Sequence, residues 1–167
     1  MSEADTEATE IAAAADAELK RRHAAQATAF REIAGSYFTL AEFRCKCDVC
    51  QADELNSDWF QTEAFRAFMG VLGTIRSLAG FPFPVNSGHR CPAYNDQIYV
   101  DRGEEPGEHL EGPHTIGGAD IGASFSNAYA ITNLATRLDM GVGIHQRGDV
   151  ADRYIHVDNQ GPRIWTY

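Results

Sequence analysis

The chain has 167 residues, with 24 acidic against 14 basic side chains and a formal net charge of −10. That length fits one domain plus a tail, since a domain usually takes roughly 100–200 residues, and it can bury a proper core without many staples. The acidic balance argues against nucleic acid as a partner, because affinity for a phosphate backbone comes largely from lysine and arginine displacing counterions, and no stretch approaches the ~20 apolar residues of a membrane span.

The first residues, MSEADTEATEIAAAADAELKRRH, lack a basic start followed by a pure apolar run, so they do not read as a secretory signal peptide. The expectation is a chain made in the cytoplasm; work outside it would need lysis, a partner or a virus particle for delivery. Residues 7–33 are alanine-rich, with Glu, Lys, Arg and Gln interspersed and neither Gly nor Pro, which is a strong helical composition. Ile11, Leu19, Phe30 and Ile33 give a sparse apolar stripe, predicting a long helix that either packs along its own domain or docks onto another protein. Residues 1–36 therefore read as a helical extension and 37–167 as the main domain.

In FTLAEFRC, Thr39 followed by Glu42 is a capping-box pattern for a short helix. Next comes RCKCDVC, with Cys45, Cys47 and Cys50, and the fourth cysteine is distant Cys91. This set is open to three readings: a structural Zn(Cys)4 site, a disulfide bridge, or four reduced thiols. Asn56, Ser57 and Asp58 can cap a helix in which Phe60, Ala64, Phe68, Leu72, Ile75 and Ala79 recur at helical steps, closed by Gly80 and Pro82.

FPVNSG (83–88) reads as a short strand entering a turn, and residues 95–113, rich in Gly, Pro and Glu, as a long loop. GGADIGAS predicts a second strand. Ser126 can cap a helix through Asp139, with Ala128, Ile131, Leu134, Ala135 and Leu138 inward and Gly141 ending it. VGIHQ and YIHVDN predict two further strands, and RIWTY an edge strand. Helices first, then strands around one helix, favours an α+β fold with a small, mostly antiparallel sheet.

A catalytic zinc needs three nitrogen or oxygen ligands and one open position. His114, Asp120 and His156 form a feasible set, because neighbouring strands lie ~4.8 Å apart and side chains on one face can reach a common ion. The chain has six histidines, so coincidence is easy, and the glycines around His114 permit close backbone approach without establishing a site. No GxSxG, HExxH or phosphate-cradling loop supports a different hydrolase chemistry.

The ordered motifs SGHRCPAYN (87–95), GPHTIGGADIG (112–122), YIHVD (154–158) and the terminal IWTY resemble the zinc peptidases of the D-alanyl-D-alanine carboxypeptidase family, which includes phage-encoded cell-wall enzymes of the lysostaphin, carboxypeptidase and hedgehog superfamily. The resemblance covers about residues 38–167. It implies Zn2+ as cofactor, His114, Asp120 and His156 as its ligands, and Arg90 as the receiver of a substrate carboxylate. The implied substrate is a peptidoglycan stem peptide, cleaved as a D-Ala-D-Ala carboxypeptidase or an L-Ala-D-Glu endopeptidase. Ser87 and Asn95 are candidates for hydrogen bonding the substrate backbone, and His145 for donating to the transition-state oxyanion.

Two departures from the family pattern stand out. Its members usually place one residue more between the histidine and the aspartate, and in a strand one residue turns a side chain to the opposite face. A bulge or kink at Gly117–Gly118 is the expected remedy. Relatives also carry an acidic residue three positions before the last histidine, where this chain has Arg153; Asp158 and Asp152 are the substitute candidates for catalytic base, Asp158 having the rival role of orienting His156. The competing expectation is a non-catalytic, peptidase-like virion or scaffold component docked through residues 7–33.

Overall fold

The computed structural model describes residues 3–52 and 58–167. Helix α1 (Glu3–Ala34) follows from the alanine-rich composition, and it carries exposed ion pairs one turn apart, Lys20 with Asp16 at 2.7 Å and Glu18 with Arg21 at 2.8 Å and Arg22 at 2.9 Å. Such pairs contribute only a few tenths of a kcal/mol each. The C-terminal end of this helix packs on its own domain, as one of the two expectations had it. Ile11 is exposed, whereas Phe30 and Ala34 are buried in the core, with the Phe30 ring 5.8 Å from those of Phe43 and Phe60.

After Gly35 turns the chain at positive φ, helix α2 (Leu40–Phe43) starts where the Glu42 carboxylate accepts both the Thr39 N–H, at 2.7 Å, and its hydroxyl, at 2.8 Å. A short helix α3 (Asp48–Ala52) lies within the cysteine cluster, where the sequence showed no helical period. The proposed caps Asn56 and Ser57 lie outside the described residues. A 3-10 turn spans Asp58–Gln61, and helix α4 (Glu63–Ala79) begins later than the apolar period suggests, because the Thr62 hydroxyl caps it by accepting the Phe65 N–H at 3.2 Å. Gly80 ends it in the left-handed conformation (φ 72°).

Strand β1 (Val85–Ser87) leads into helix α5 (Pro92–Val100), which occupies the start of the stretch read as loop. Proline at the first helical position is pre-set for a helix, and the Pro/Gly/Glu-rich composition concealed this. The irregular loop is thus limited to residues 101–112. A single helical turn, α6 (Pro113–Ile116), precedes strand β2 (Gly118–Gly122). Helix α7 (Phe125–Arg137) begins after Ser124, not at Ser126, and stops before Asp139, whose φ of 56° reverses the chain. Strand β3 (Gly141–His145), a 3-10 turn (Val150–Asp152), strand β4 (Tyr154–Asp158) and strand β5 (Arg163–Thr166) complete the chain.

The strand order is β1-β2-β4-β3-β5, antiparallel throughout except that β5 runs parallel to β3 at the edge. The fold is α+β, with helices flanking a mostly antiparallel sheet. Period-two alternation divides the sheet: Ala119, Ile121, Ile155, Val157 and Val142 turn into one core shared with α1, α4 and α7. The intervening residues of the same strands are polar or glycine and face the other way.

Since α1 enters the core through Phe30, replacing it with alanine removes contacts to three or more aromatic rings. Phe30→Ala should lower the unfolding free energy by about 3–5 kcal/mol in a urea titration. A loss under about 1 kcal/mol would mean that α1 is not part of the core.

Candidate metal centre

Asp120 and His156 sit directly opposite each other in the β2–β4 ladder, and Asp158 lies two residues on, opposite Gly118. All three therefore share the face turned away from the core. His114 reaches the same place from α6, which crosses the start of β2 so closely that a Cβ on Gly118 would lie 3.0 Å from the Pro113 carbonyl. The expected bulge at Gly117–Gly118 is absent: β2 pairs with β4 residue for residue from Gly118 to Gly122, and the irregularity of register lies between β1 and β2. Strand parity does not govern His114 because it is on a helical turn, closed by the Gly117 N–H donating to the Pro113 carbonyl at 2.8 Å.

The His114 Nδ1 is 2.7 Å from the Gly88 carbonyl, which can only accept, so this nitrogen carries the proton. Its Nε2, left with a lone pair, is 3.3 Å from Asp120 Oδ1. The His156 Nδ1 is 2.8 Å from that same oxygen, and the His156 Nε2 is 3.1 Å from Asp158 Oδ2. The ligand atoms of His114, Asp120 and His156 lie within 4.8 Å of one another. A buried imidazole lone pair facing a carboxylate oxygen is two acceptors in opposition, and a cation between them resolves it. The donor set suits a metal ion, and all three residues are at least nine-tenths buried.

Protonation is shaped by the same contacts. Burial holds the His114 imidazole below its ordinary value despite the nearby Asp120. Burial works against a charged His156 too, but the bonds to Asp120 and Asp158 outweigh it and raise its pKa. For Asp120, burial favours the neutral acid, yet the contact with the His156 Nδ1, at 2.8 Å, outweighs it and lowers its pKa. Asp158 is likewise lowered against burial by His156 and by the Gln160 N–H, and Arg163 donates to its Oδ2 at 2.8 Å.

The three residues floor a cleft of about 230 Å³ whose walls are Arg90, Tyr99, Arg102, Tyr154, Trp165 and Tyr167. Arg90 lines it while donating to Asp120 Oδ2 at 3.0 Å, and its Nε donates to the Ser87 hydroxyl at 3.2 Å, so Ser87 braces Arg90. Asn95 is buried away from the cleft, its amide donating to the His109 carbonyl at 2.8 Å to tether the 101–112 loop. His145 stacks on Tyr154 at 4.8 Å between ring centroids and does not line the cleft. Neither candidate base reaches the cleft. Asp158 is fully buried behind His156, and Asp152 is exposed on the 3-10 turn.

Apart from Arg90, sequence reasoning missed the cleft walls. Tyr154 is two residues before His156 and thus on its face, a signal that strand parity could have supplied; Tyr99 and Arg102 were hidden in the stretch read as loop. Burial raises both phenols, Tyr154 upward and Tyr167 to about 12, so at neutral pH they keep their protons and act as donors.

A second group of sulfurs lies nearby in sequence. No two cysteines are bonded. The Cys45 and Cys47 sulfurs are 3.6 Å apart, those of Cys47 and Cys91 are 3.8 Å apart, and all four lie within 4.8 Å of one another. Cys45, Cys47, Cys50 and Cys91 therefore form a group that could hold a metal ion, with Cys45 buried and the others partly so. No helix among the described residues is long and apolar enough to cross a membrane. No protein-family model matches the sequence, and no curated protein matches it.

Beside the site, the His89 ring stacks on Trp59 at 4.4 Å, and burial drives its pKa down to about 4. The unfolded imidazole titrates near ~6.5, so the unfolded chain binds a proton that the folded one refuses. This contribution to stability is present above pH ~6.5 and is lost as pH falls toward about 4. His89→Phe keeps the stack and removes that dependence. Relative to the variant, wild type should lose about 3 kcal/mol between those pH values in denaturant titrations; parallel curves would refute the buried neutral imidazole.

Proposed function

We propose that this chain is a zinc-dependent peptidase acting on peptidoglycan stem peptides, of D-Ala-D-Ala carboxypeptidase or L-Ala-D-Glu endopeptidase type, serving phage or prophage lysis or carried in a virion. The observation that carries the reading is the opposition of the His114 Nε2 lone pair and the Asp120 carboxylate, with the His156 Nδ1 on the same oxygen, at the floor of a cleft. The motif resemblance supplies the substrate class.

His114 through Nε2, Asp120 through a carboxylate oxygen and His156 through Nδ1 would hold the ion. Zinc bound there supplies Lewis acidity, which acidifies water and polarises a carbonyl. The chain's own residues do the rest. The Gly88 carbonyl fixes the His114 tautomer, and Asp158 on the far nitrogen of His156 fixes that ring and raises its basicity, as carboxylates commonly do for metal-bound histidines. Asp158 is thus a positioning residue in this proposal, not the base.

Arg90 and Arg102 line a cleft whose one carboxylate among the described residues is Asp120, so the cleft is locally cationic in an acidic protein and suits a peptide bearing free carboxylates. Tyr154 and Tyr167, held protonated, donate to oxygen atoms of the bound peptide. The ring walls limit water around the reacting bond.

One observation favours the second reading, a peptidase-like binding or scaffold component. Among the described residues no carboxylate besides Asp120 lines the cleft, where a hydrolase of this type would hold its proton acceptor. Metal content and digestion of purified murein, compared for wild type, His156→Ala and Asp158→Asn, separate the two. The enzyme reading expects murein peptide cleavage by wild type, loss of both one metal equivalent and cleavage in His156→Ala, and metal affinity lowered about 10–100-fold in Asp158→Asn. Metal bound without any cleavage would contradict the enzyme and support the binding component.

A further inference from the structure

We propose that Cys45, Cys47, Cys50 and Cys91 hold a structural zinc ion, and that this metal clamps the segment that orients His114 and Arg90. Tetrahedral zinc with Zn–S bonds near 2.3 Å places its sulfurs about 3.8 Å apart. The spacings of 3.6 Å and 3.8 Å already match that tetrahedron edge, whereas a disulfide brings its sulfurs to about 2.05 Å. Two backbone donors point at the cluster, the Cys50 N–H to Cys47 Sγ at 3.3 Å and the Cys91 N–H to Cys45 Sγ at 3.4 Å. Amide donors to sulfur favour the thiolate form that a metal requires. A set of four thiolates selects zinc or iron over calcium or magnesium. Binding exchanges thiol protons, released to solvent, for four Zn–S bonds and needs no oxidant.

The consequence lies in what the cluster grips. Between Ser87 and Cys91 the chain passes Phe43 so closely that a Cβ on Gly88 would lie 2.4 Å from the Phe43 Cα, and the His89 N–H donates to the Phe43 carbonyl at 2.8 Å. The Gly88 carbonyl then accepts from His114 Nδ1, and the Arg90 N–H donates to the His114 carbonyl at 3.0 Å. Cys45 follows Phe43 by two residues and Cys91 follows Arg90 directly. A metal joining them pins both sides of this crossing, so the cysteine site positions the histidine that faces Asp120. The cysteine site stands on its own sulfur geometry, and its positioning role rests on the cleft metal of the proposed function.

The test uses the full chain loaded with cobalt(II) in place of zinc, and with zinc during thiol alkylation. In wild type, thiolate-to-cobalt charge-transfer absorption is expected, together with two metal equivalents and protection of all four thiols by zinc. His156→Ala should keep that absorption and one equivalent, which separates this site from the cleft. Cys47→Ser with Cys50→Ser should lose the absorption, and its remaining metal should bind at least about 10-fold more weakly because His114 is less well oriented. Wild type lacking thiolate-to-cobalt absorption, or four thiols alkylated equally fast with and without zinc, would overturn the proposal, and neither readout requires a variant to fold. Unchanged affinity of the remaining metal in a folded double variant would overturn the positioning role.

Discussion

Two hydrogen-bond acceptors face each other in a buried place: the Nε2 of His114 and a carboxylate oxygen of Asp120, 3.3 Å apart. Burial deprives both of water, and the Gly88 carbonyl keeps the imidazole proton on the far nitrogen. Left to themselves these groups repel or draw a proton between them. A metal ion satisfies all the constraints together, and the surrounding structure is arranged as though to hold one. Arg90 stands on the outer oxygen of Asp120, and Asp158 stands behind His156 with Arg163 behind it.

The sheet makes such a site affordable. Alternation sends Ile121, Ile155, Val157 and Val142 into the core while Asp120, His156 and Asp158 turn outward on the same strands. The apolar face supplies the burial energy and the rigidity, and the polar face inherits fixed positions from a backbone held on both sides by paired strands. Helix α1 belongs to this scaffold through Phe30 and Ala34, even though residues 9–18 lie exposed.

Much of this was legible from the residues. Period two in GGADIGAS and YIHVDN located β2 and β4, and through them put Asp120, His156 and Asp158 on one face. Apolar steps from Phe68 to Ile75 located α4. What remained hidden was governed by local stereochemistry that composition masks. Pro92 starts a helix inside a stretch whose glycines and glutamates resemble a loop, and Thr62 displaced the start of α4. The spacing between His114 and Asp120 looked like a fault of register because strand parity was applied across it; His114 sits on one helical turn, Pro113–Ile116, ahead of the strand, and β2 pairs with β4 without any bulge. The cleft walls Tyr99, Arg102 and Trp165 come together only in three dimensions, from a helix, a loop and an edge strand.

The most direct measurement is an anomalous-difference map, collected on either side of the zinc absorption edge, from crystals of the full chain grown with zinc. The proposed reading predicts a peak bounded by the His114 Nε2, an Asp120 carboxylate oxygen and the His156 Nδ1, at ~2.0–2.2 Å from each. A map with density at the four cysteines and none among these three side chains would contradict it.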